Sequence, residues 1–123
     1  MKLHHSDQDG LNIIRAYSDS SVTINEEIFT RSVIVQAQLL VRDWSPQAIE
    51  ELDSASVERL AELDTEIILL GTGKRQCFPD RKLLMPCYER KIGIEIMDTP
   101  AACRTYNILL EEGRTVTAAL LIG

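Results

Sequence analysis

The chain has 123 residues, of which 45% are hydrophobic and 26% charged, and its formal net charge is -6. This composition is typical of a globular domain and excludes a disordered or fibrous chain. The negative charge, with basic residues scattered along the sequence, argues against a nucleic-acid partner and disfavours binding to an anionic membrane. At this length we expect one domain, residues 1–123, whose core needs no metal or disulfide.

Hydropathy and cysteine usage bear on where the protein resides. The longest apolar runs, 67–70 and 118–122, are far below the ~20 residues that a membrane-spanning helix requires. The amino terminus turns polar too soon for a secretory signal. Three widely spaced cysteines without a CxxC pair suit free thiols in a reducing compartment. We therefore expect a cytoplasmic protein without a transmembrane segment.

The first third of the chain is rich in β-formers separated by turn-forming residues. Strands are predicted near residues 12–17, 21–24, 27–30 and 33–40. Asp19-Ser20 and Asn25-Glu26 are the predicted turns. This pattern indicates consecutive short strands joined by tight turns.

A helical region is predicted to begin at Ser45-Pro46, because serine caps free amides and proline fits the first helical position. Apolar residues then recur at three- and four-residue spacing over 49–63, with Asp53-Ser54 as a candidate break. The branched apolar run 67–70 follows, and it predicts a central strand buried on both faces.

The second half predicts a βαβ unit and a further helix and strand. The positions of the prolines favour a helix that starts near Lys82, followed by a strand at 94–97. Thr99 and Gly113 bracket the next helix, and 116–121 is the last strand. The fold class is therefore α/β.

Two glycine- and threonine-containing segments should meet at one edge of the sheet. Parallel strands joined by a helix end at the same edge, so Gly71-Thr72-Gly73 and Asp98-Thr99 should face a common crevice. The amides and dipole at the Thr99 helix start suit an anion, although Asp98 or Thr99 can equally act as a simple cap. Both interpretations stay open.

Gly71-Thr72-Gly73-Lys74 has the outward look of a phosphate loop, but the pattern is incomplete. A Walker loop would need glycine at position 68 and serine or threonine at 75, where Ile68 and Arg75 stand. A dinucleotide fingerprint would need glycine in place of Gln76. The glycines make either a tight turn after a buried strand or a contact with an anion.

One face of the last helix carries Arg104, Asn107 and Glu111 at positions i, i+3 and i+7. The default interpretation is a solvated face. Alternatively, Arg104 and Asn107 form a buried network or a partner-binding surface together with Glu112 and Arg114.

No residue is predicted to be catalytic, and no metal or cofactor site is predicted. Cys103 lies where a helix dipole favours a thiolate, but no base is near it in sequence, and its alanine neighbours indicate packing. His4 and His5 are adjacent, and adjacent side chains rarely aim at one metal ion.

A distinctive set of residues lies in the second half of the chain. The set is Leu69-Leu70-Gly71-Thr72-Gly73, Gly93-Ile94-Glu95-Ile96, Asp98-Thr99, Ala102, Asn107 and Glu112-Gly113-Arg114. Through it the chain resembles the small domain family that includes mitochondrial respiratory complex I assembly factor 3 and uncharacterised bacterial proteins. The resemblance covers essentially the full length. It implies a three-layer α/β architecture with a mixed central sheet, to which the N-terminal half adds small strands beside a helix layer. For the mitochondrial members it also implies a role in assembling a respiratory complex.

Two classes of function follow. The first is a non-enzymatic protein-binding or assembly factor, whose partner is another protein involved in respiratory-complex biogenesis. The second is a small-molecule binding protein or enzyme that holds an anion at the strand ends near Gly71 and Asp98. The lack of paired histidine, cysteine or carboxylate roles in the sequence favours the first class.

Overall fold

The computed structural model describes residues 10–122, which form two β-sheets, three α-helices and a short 3-10 helix. The strands are β1 Ile14–Tyr17, β2 Val22–Ile24, β3 Glu27–Phe29, β4 Val33–Gln36, β5 Leu39–Val41, β6 Ile67–Gly71, β7 Gly93–Met97 and β8 Val116–Leu120. The helices are the 3-10 helix Ile49–Glu51, α1 Ser54–Ala61, α2 Arg81–Glu89 and α3 Thr99–Glu111.

The central sheet is mixed and has the strand order β5-β4-β8-β6-β7. Strand β6 is parallel to both β7 and β8, whereas β4 is antiparallel to β5 and β8. Gly71 at the end of β6 is in register with Met97 and with Leu120. The three parallel strands therefore end together, at what we call the carboxyl edge of the sheet. This confirms the predicted βαβ unit.

Two apolar clusters, one on each face of the central sheet, define three layers. Helices α1 and α2 pack on one face, where Leu60 and Leu84 meet Ile68 of β6. Helix α3 and the small antiparallel sheet β1-β2-β3 cover the other face, where Tyr106 and Leu69 are buried. The side chains of adjacent β6 residues thus pack into opposite clusters, as expected of a strand buried on both faces. The predicted three-layer α/β architecture with additional small N-terminal strands is confirmed.

The predicted strand 33–40 is wrong as a single element, because the chain turns back at residues 37–38 and forms the β4–β5 hairpin. The turn contains Ala37 and Gln38 rather than glycine or asparagine. A distant side chain supports it. The Nδ2 of Asn12 donates hydrogen bonds to the carbonyls of Gln36, at 2.9 Å, and Leu39, at 3.1 Å.

The predicted helix start at Ser45-Pro46 is also wrong, whereas the break at Asp53-Ser54 is confirmed. The chain first forms only the 3-10 turn, and α1 begins at Ser54 with Asp53 as its cap. Residues 45–48 are instead fixed by Gln47, whose side chain accepts the Ser32 amide at 2.9 Å and donates to the Ser45 carbonyl at 3.2 Å.

The remaining helices lie close to their predicted positions. Helix α2 begins at Arg81, one residue before the predicted start, and Asp80 caps it. Helix α3 runs from Thr99 to Glu111 as the bracketing residues predict, and Gly113 follows it with a positive φ of 78°. Within residues 10–122, none of these helices is long and apolar enough to cross a membrane.

Candidate functional site

At the carboxyl edge, the side chain of Thr99 joins the ends of two strands. Its Oγ1 accepts a hydrogen bond from the Gly73 amide at 2.8 Å and donates one to the Leu121 carbonyl at 2.8 Å. The Thr72 amide donates to the Met97 carbonyl at 2.9 Å, which ties in the third strand. The two predicted segments therefore lie together, but in direct contact rather than across an open crevice.

The backbone amides that open α3 already have partners. The Thr99 amide donates to the Gly73 carbonyl at 2.8 Å, and the Ala101 amide to the Asp98 carboxylate at 2.8 Å. The Ala102 amide donates to the Asp98 carbonyl at 3.0 Å, and the one residue left in this turn is a proline, which has no N–H. Asp98 is the helix cap, so these donors are not available to an anion.

Gly71 and Gly73 each have a structural reason to be glycine. A Cβ on Gly71 would lie 3.0 Å from the Thr99 Cα and 3.2 Å from the Ala102 Cβ, so only glycine allows α3 to approach β6 this closely. Gly73 has a φ of 99°, in the left-handed region that side chains disfavour. Both observations support the interpretation of this segment as a turn after a buried strand.

The space beside this junction is small. A cavity of about 50 Å³ is lined by Asp19, Gly73, Lys74 and Thr99. Typical ligand pockets enclose roughly 300–1,000 Å³, whereas a single water needs roughly 10–15 Å³, so this cavity is of the size that water fills. A small-molecule site at Gly71 and Asp98 stays a prediction, and the geometry offers it little room and few donors.

The side chain of Asn107 holds α3 to the small sheet. Its Oδ1 accepts the Ile14 amide at 3.1 Å, and its Nδ2 donates to the Ile14 carbonyl at 2.7 Å. The neighbouring Tyr106 hydroxyl donates to the Asn12 carbonyl at 2.8 Å. Strand β1 pairs only with β2, so Asn107 satisfies part of its other edge as a neighbouring strand would. Of the alternatives for Asn107, this geometry supports the internal network.

Arg104 lies on the solvent side of α3 and contacts Tyr17. Its Nη1 donates to the Tyr17 hydroxyl at 3.0 Å, and its guanidinium carbon lies 5.9 Å from the centre of the tyrosine ring. The hydrogen bond to Tyr17 raises the pKa of Arg104 above its usual value. One turn further on, Ile108 is 54% exposed. We call Tyr17, Arg104 and Ile108 the α3 patch.

Glu112 and Arg114 lie beyond the end of α3, at the sheet edge opposite to Gly71. Glu112 is the exposed residue that ends the helix. The Arg114 Nε donates to the Glu66 carboxylate at 3.1 Å, and the Thr115 amide donates to the same group at 3.3 Å. These two hydrogen bonds lower the pKa of Glu66, and the bond from the Thr115 amide has the larger effect. The nine candidate residues therefore form no single site: five lie at the carboxyl edge, two along α3 and two at the opposite edge.

A larger cleft of about 400 Å³ opens beside Arg114, between the β4–β5 turn and the end of α3. Leu11, Leu110 and Val116 form its apolar part, and Gln36 supplies a side-chain amide that is already bonded to the Thr117 hydroxyl at 2.8 Å. Histidine, cysteine and carboxylate side chains are absent from its lining within residues 10–122. The cleft has the size of a ligand pocket without a pair of groups for acid–base or nucleophilic chemistry.

The cysteines in the two cores are packed thiols. Cys103 is fully buried, and burial raises its pKa to about 12, so it is not a thiolate at neutral pH. Burial likewise raises the pKa of Cys87. Residues 10–122 contain no group of three side chains that could hold a metal ion. His4 and His5, which are predicted not to bind a metal ion, lie outside the described residues.

Two exposed aromatic side chains were missed from sequence. Tyr17 could not be found, because only the fold brings it to Arg104, 87 positions away. Phe78 is 70% exposed in the connection between β6 and α2. One pair of basic residues precedes Phe78 in the sequence and another pair follows it. This charge pattern could have indicated a binding surface from sequence alone.

The three layers and the tightly closed strand-end junction define a small α/β domain of known architecture. A solved structure from Bordetella pertussis, described as a Mth938-like domain, matches with a TM-score of 0.80 and 30% identity, covering 92% of this chain and 87% of that one. A crystal structure from Bordetella parapertussis matches with a TM-score of 0.86 and 35% identity, covering 93% and 98%. The chain belongs to the family described as "Protein of unknown function (DUF498/DUF598)", which matches residues 14–121.

Several curated relatives are named "NADH dehydrogenase (ubiquinone) 1 alpha subcomplex assembly factor 3", whereas a relative from Francisella tularensis, 27% identical over 73 residues that cover 59% of each chain, is named "13 kDa major membrane protein". The rat protein is 32% identical over 110 residues, which cover 88% of this chain and 59% of the relative. The human protein is 43% identical over 77 residues, which cover 63% of this chain and 41% of the relative. The chain thus matches about half of the length of these relatives.

Proposed function

We propose that this protein is a non-enzymatic binding factor in the assembly of a respiratory complex, and that the α3 patch is its partner surface. The name of the rat and human relatives supports the assembly role. The partner is another protein.

The observation that carries the proposal is the composition of the α3 patch. Arginine and tyrosine are enriched among the residues that dominate binding at protein interfaces. Tyr17 holds the Arg104 guanidinium in place, so little side-chain freedom is lost when a partner binds. Ile108 adds an apolar side chain that a partner would remove from water.

The surface extends along α3 but leaves out Asn107. Glu112 follows Ile108 by four positions and lies on the same helical face, so it belongs to the rim of the proposed surface. Asn107 is committed to the Ile14 backbone. Arg114 is engaged with Glu66 at the opposite edge, which separates it from the patch.

We further propose a reducing, cytoplasmic location. The three cysteines are all free thiols, at positions 77, 87 and 103. Proteins of oxidising compartments more often pair their cysteines. The free thiols support this location.

Affinity capture from cell extract tests the proposed function. The tagged protein should retain respiratory-complex subunits or assembly intermediates, identified by mass spectrometry. Arg104→Glu and Ile108→Asp should each reduce the retained amount at least about tenfold, as expected for interface residues that contribute about 2 kcal/mol. Met85→Asp alters a partly exposed apolar side chain of α2, on the other side of the sheet, and is the matched control.

Two results would count against the proposal. Retention of no respiratory-complex protein would remove the assembly role. Equal retention by the wild type, Arg104→Glu and Ile108→Asp would remove the α3 patch as the partner surface.

A further inference from the structure

The segment 74–82, which connects β6 to α2, has the opposite charge to the rest of the chain. It holds four cations and one carboxylate, whereas the whole chain has 13 Lys and Arg against 19 Asp and Glu. The cations are Lys74, Arg75, Arg81 and Lys82. All four are exposed, and none of them forms an ion pair with another residue of the described range 10–122. The single carboxylate, Asp80, caps α2 by accepting the Lys82 amide at 2.9 Å.

The fold brings these cations and an exposed aromatic ring to the same end of the molecule. Strand β6 ends at the carboxyl edge and α2 begins there, so both cation pairs lie at the same end of the molecule. Phe78 stands between the two pairs in sequence and is 70% exposed. Met85, one helical turn after Arg81, is also partly exposed. We call Lys74, Arg75, Phe78, Arg81 and Lys82 the basic loop.

We propose that the basic loop docks the protein on an anionic lipid bilayer. Lysine and arginine are attracted to anionic headgroups, and an exposed aromatic side chain gains by entering the interface between headgroups and acyl chains. An acidic protein would offer the same charge. A bilayer is the better match because Phe78 is 70% exposed and lines neither of the two cavities described above, whereas peptide segments are usually held in a groove.

The net charge of -6 does not oppose this docking. Charges are screened beyond about 10 Å at 0.1 M salt. A domain of this length has a radius of gyration of about 14 Å, so carboxylates on the far side lie outside that range. The membrane surface would therefore respond to the local charge of the basic loop. The negative net charge of the chain therefore weakens only the long-range attraction of the protein to an anionic membrane.

Vesicle flotation of the full chain tests the proposal. The wild type should float with vesicles of phosphatidylglycerol and phosphatidylcholine, and it should not float with phosphatidylcholine alone. Lys74→Glu/Arg75→Glu should lower the partition coefficient at least about tenfold, because each cation near an anionic surface contributes measurably. Arg15→Glu/Lys91→Glu makes the same change of net charge at exposed cations away from the basic loop and should bind as the wild type does.

A second pair of variants tests the aromatic contact. Phe78→Ala should lower the partition coefficient, whereas Ile28→Ala, at a residue 68% exposed on the small sheet, should not. Thermal unfolding of every variant keeps loss of fold apart from loss of binding. Flotation that is equal for the wild type and Lys74→Glu/Arg75→Glu would overturn the proposal. Binding to polyglutamate beads without flotation would also overturn it and would assign the basic loop to an acidic protein.

Discussion

At the residue scale, several polar side chains at the positions first considered for binding are engaged by the protein's own backbone. Thr99 bridges Gly73 and Leu121, and Asn107 bridges both backbone groups of Ile14. Buried or half-buried polar groups are costly when unpaired, so these contacts explain why such residues occupy these positions. Arg104 differs, because its partner Tyr17 is itself exposed.

Replacement of Gly71 should reveal how closely α3 approaches β6. In Gly71→Ala the new Cβ would lie 3.0 Å from Thr99, and we expect overpacking of this kind to lower the free energy of unfolding by about 1–3 kcal/mol. Urea denaturation measures the change. Gly93→Ala is the control, since its Cβ would lie 3.7 Å from the nearest atom, the Glu66 carbonyl oxygen. Equal losses in the two variants would show that the close approach is unimportant.

Removal of the Asn107 amide should destabilise the fold. Asn107→Ala leaves the amide and carbonyl of Ile14 without their side-chain partner, and we expect a loss of about 1–3 kcal/mol in the free energy of unfolding. Glu111→Ala changes an exposed residue of the same helix and should stay within about 0.5 kcal/mol of the wild type. A stability of Asn107→Ala equal to that of Glu111→Ala would contradict the structural role.

At the element scale, the amino terminus of α1 provides a pH-dependent contribution to stability. Ser56 donates its amide to the Asp53 carboxylate at 2.8 Å, and this bonding lowers the pKa of Asp53. A carboxyl group with a lowered folded-state pKa stabilises the fold fully above its unfolded-state pKa of about 3.9. The contribution disappears as the pH falls through the lower folded-state value.

The variant Asp53→Asn separates the cap from its titration. Asparagine caps a helix about as well as aspartate but does not ionise, so the two proteins should have similar stability at neutral pH. Below about pH 4 the wild type should lose stability relative to Asp53→Asn, because its carboxylate becomes protonated. Urea midpoints measured over a pH series test this. A stability difference that is constant with pH would exclude a titrating cap.

Elements were predictable from sequence where local signals suffice. Helix α3 is an example, because the cap residue Asp98 and the terminating Gly113 are both recognisable in the sequence. These two residues predict where the helix begins and ends. The β4–β5 hairpin was missed because its turn carries no typical turn residue and depends on Asn12, which lies 24 positions before Gln36. A contact of this kind exists only once the chain is folded.

At the scale of the whole molecule, the layers were predictable and the surfaces were not. The continuous apolar run 67–70 predicts a strand buried on both faces, and the family resemblance implies three layers. The α3 patch depends on contact between Tyr17 and Arg104, which no local pattern shows. The basic loop was visible as a charge pattern, but its exposed Phe78 became evident only in the structure.

The two proposed surfaces lie in different parts of the fold. The α3 patch belongs to the layer of α3 and the small sheet, whereas the basic loop leads into α2 on the other face of the central sheet. Variants of one surface should leave the other binding activity unchanged.

The central claim is that Arg104 and Ile108 of α3 bind the partner, whereas Asn107 of the same helix stabilises the fold. It is tested most directly by measuring retained partner and melting temperature on the same samples of wild type, Arg104→Glu and Asn107→Ala. We predict that Arg104→Glu retains at least about tenfold less partner while its melting temperature changes little, since an exposed cation–π contact contributes only about 0.5–1 kcal/mol. Asn107→Ala should melt several degrees lower and, per folded molecule, retain as much partner as the wild type. Retention by Arg104→Glu equal to that of the wild type would contradict the account.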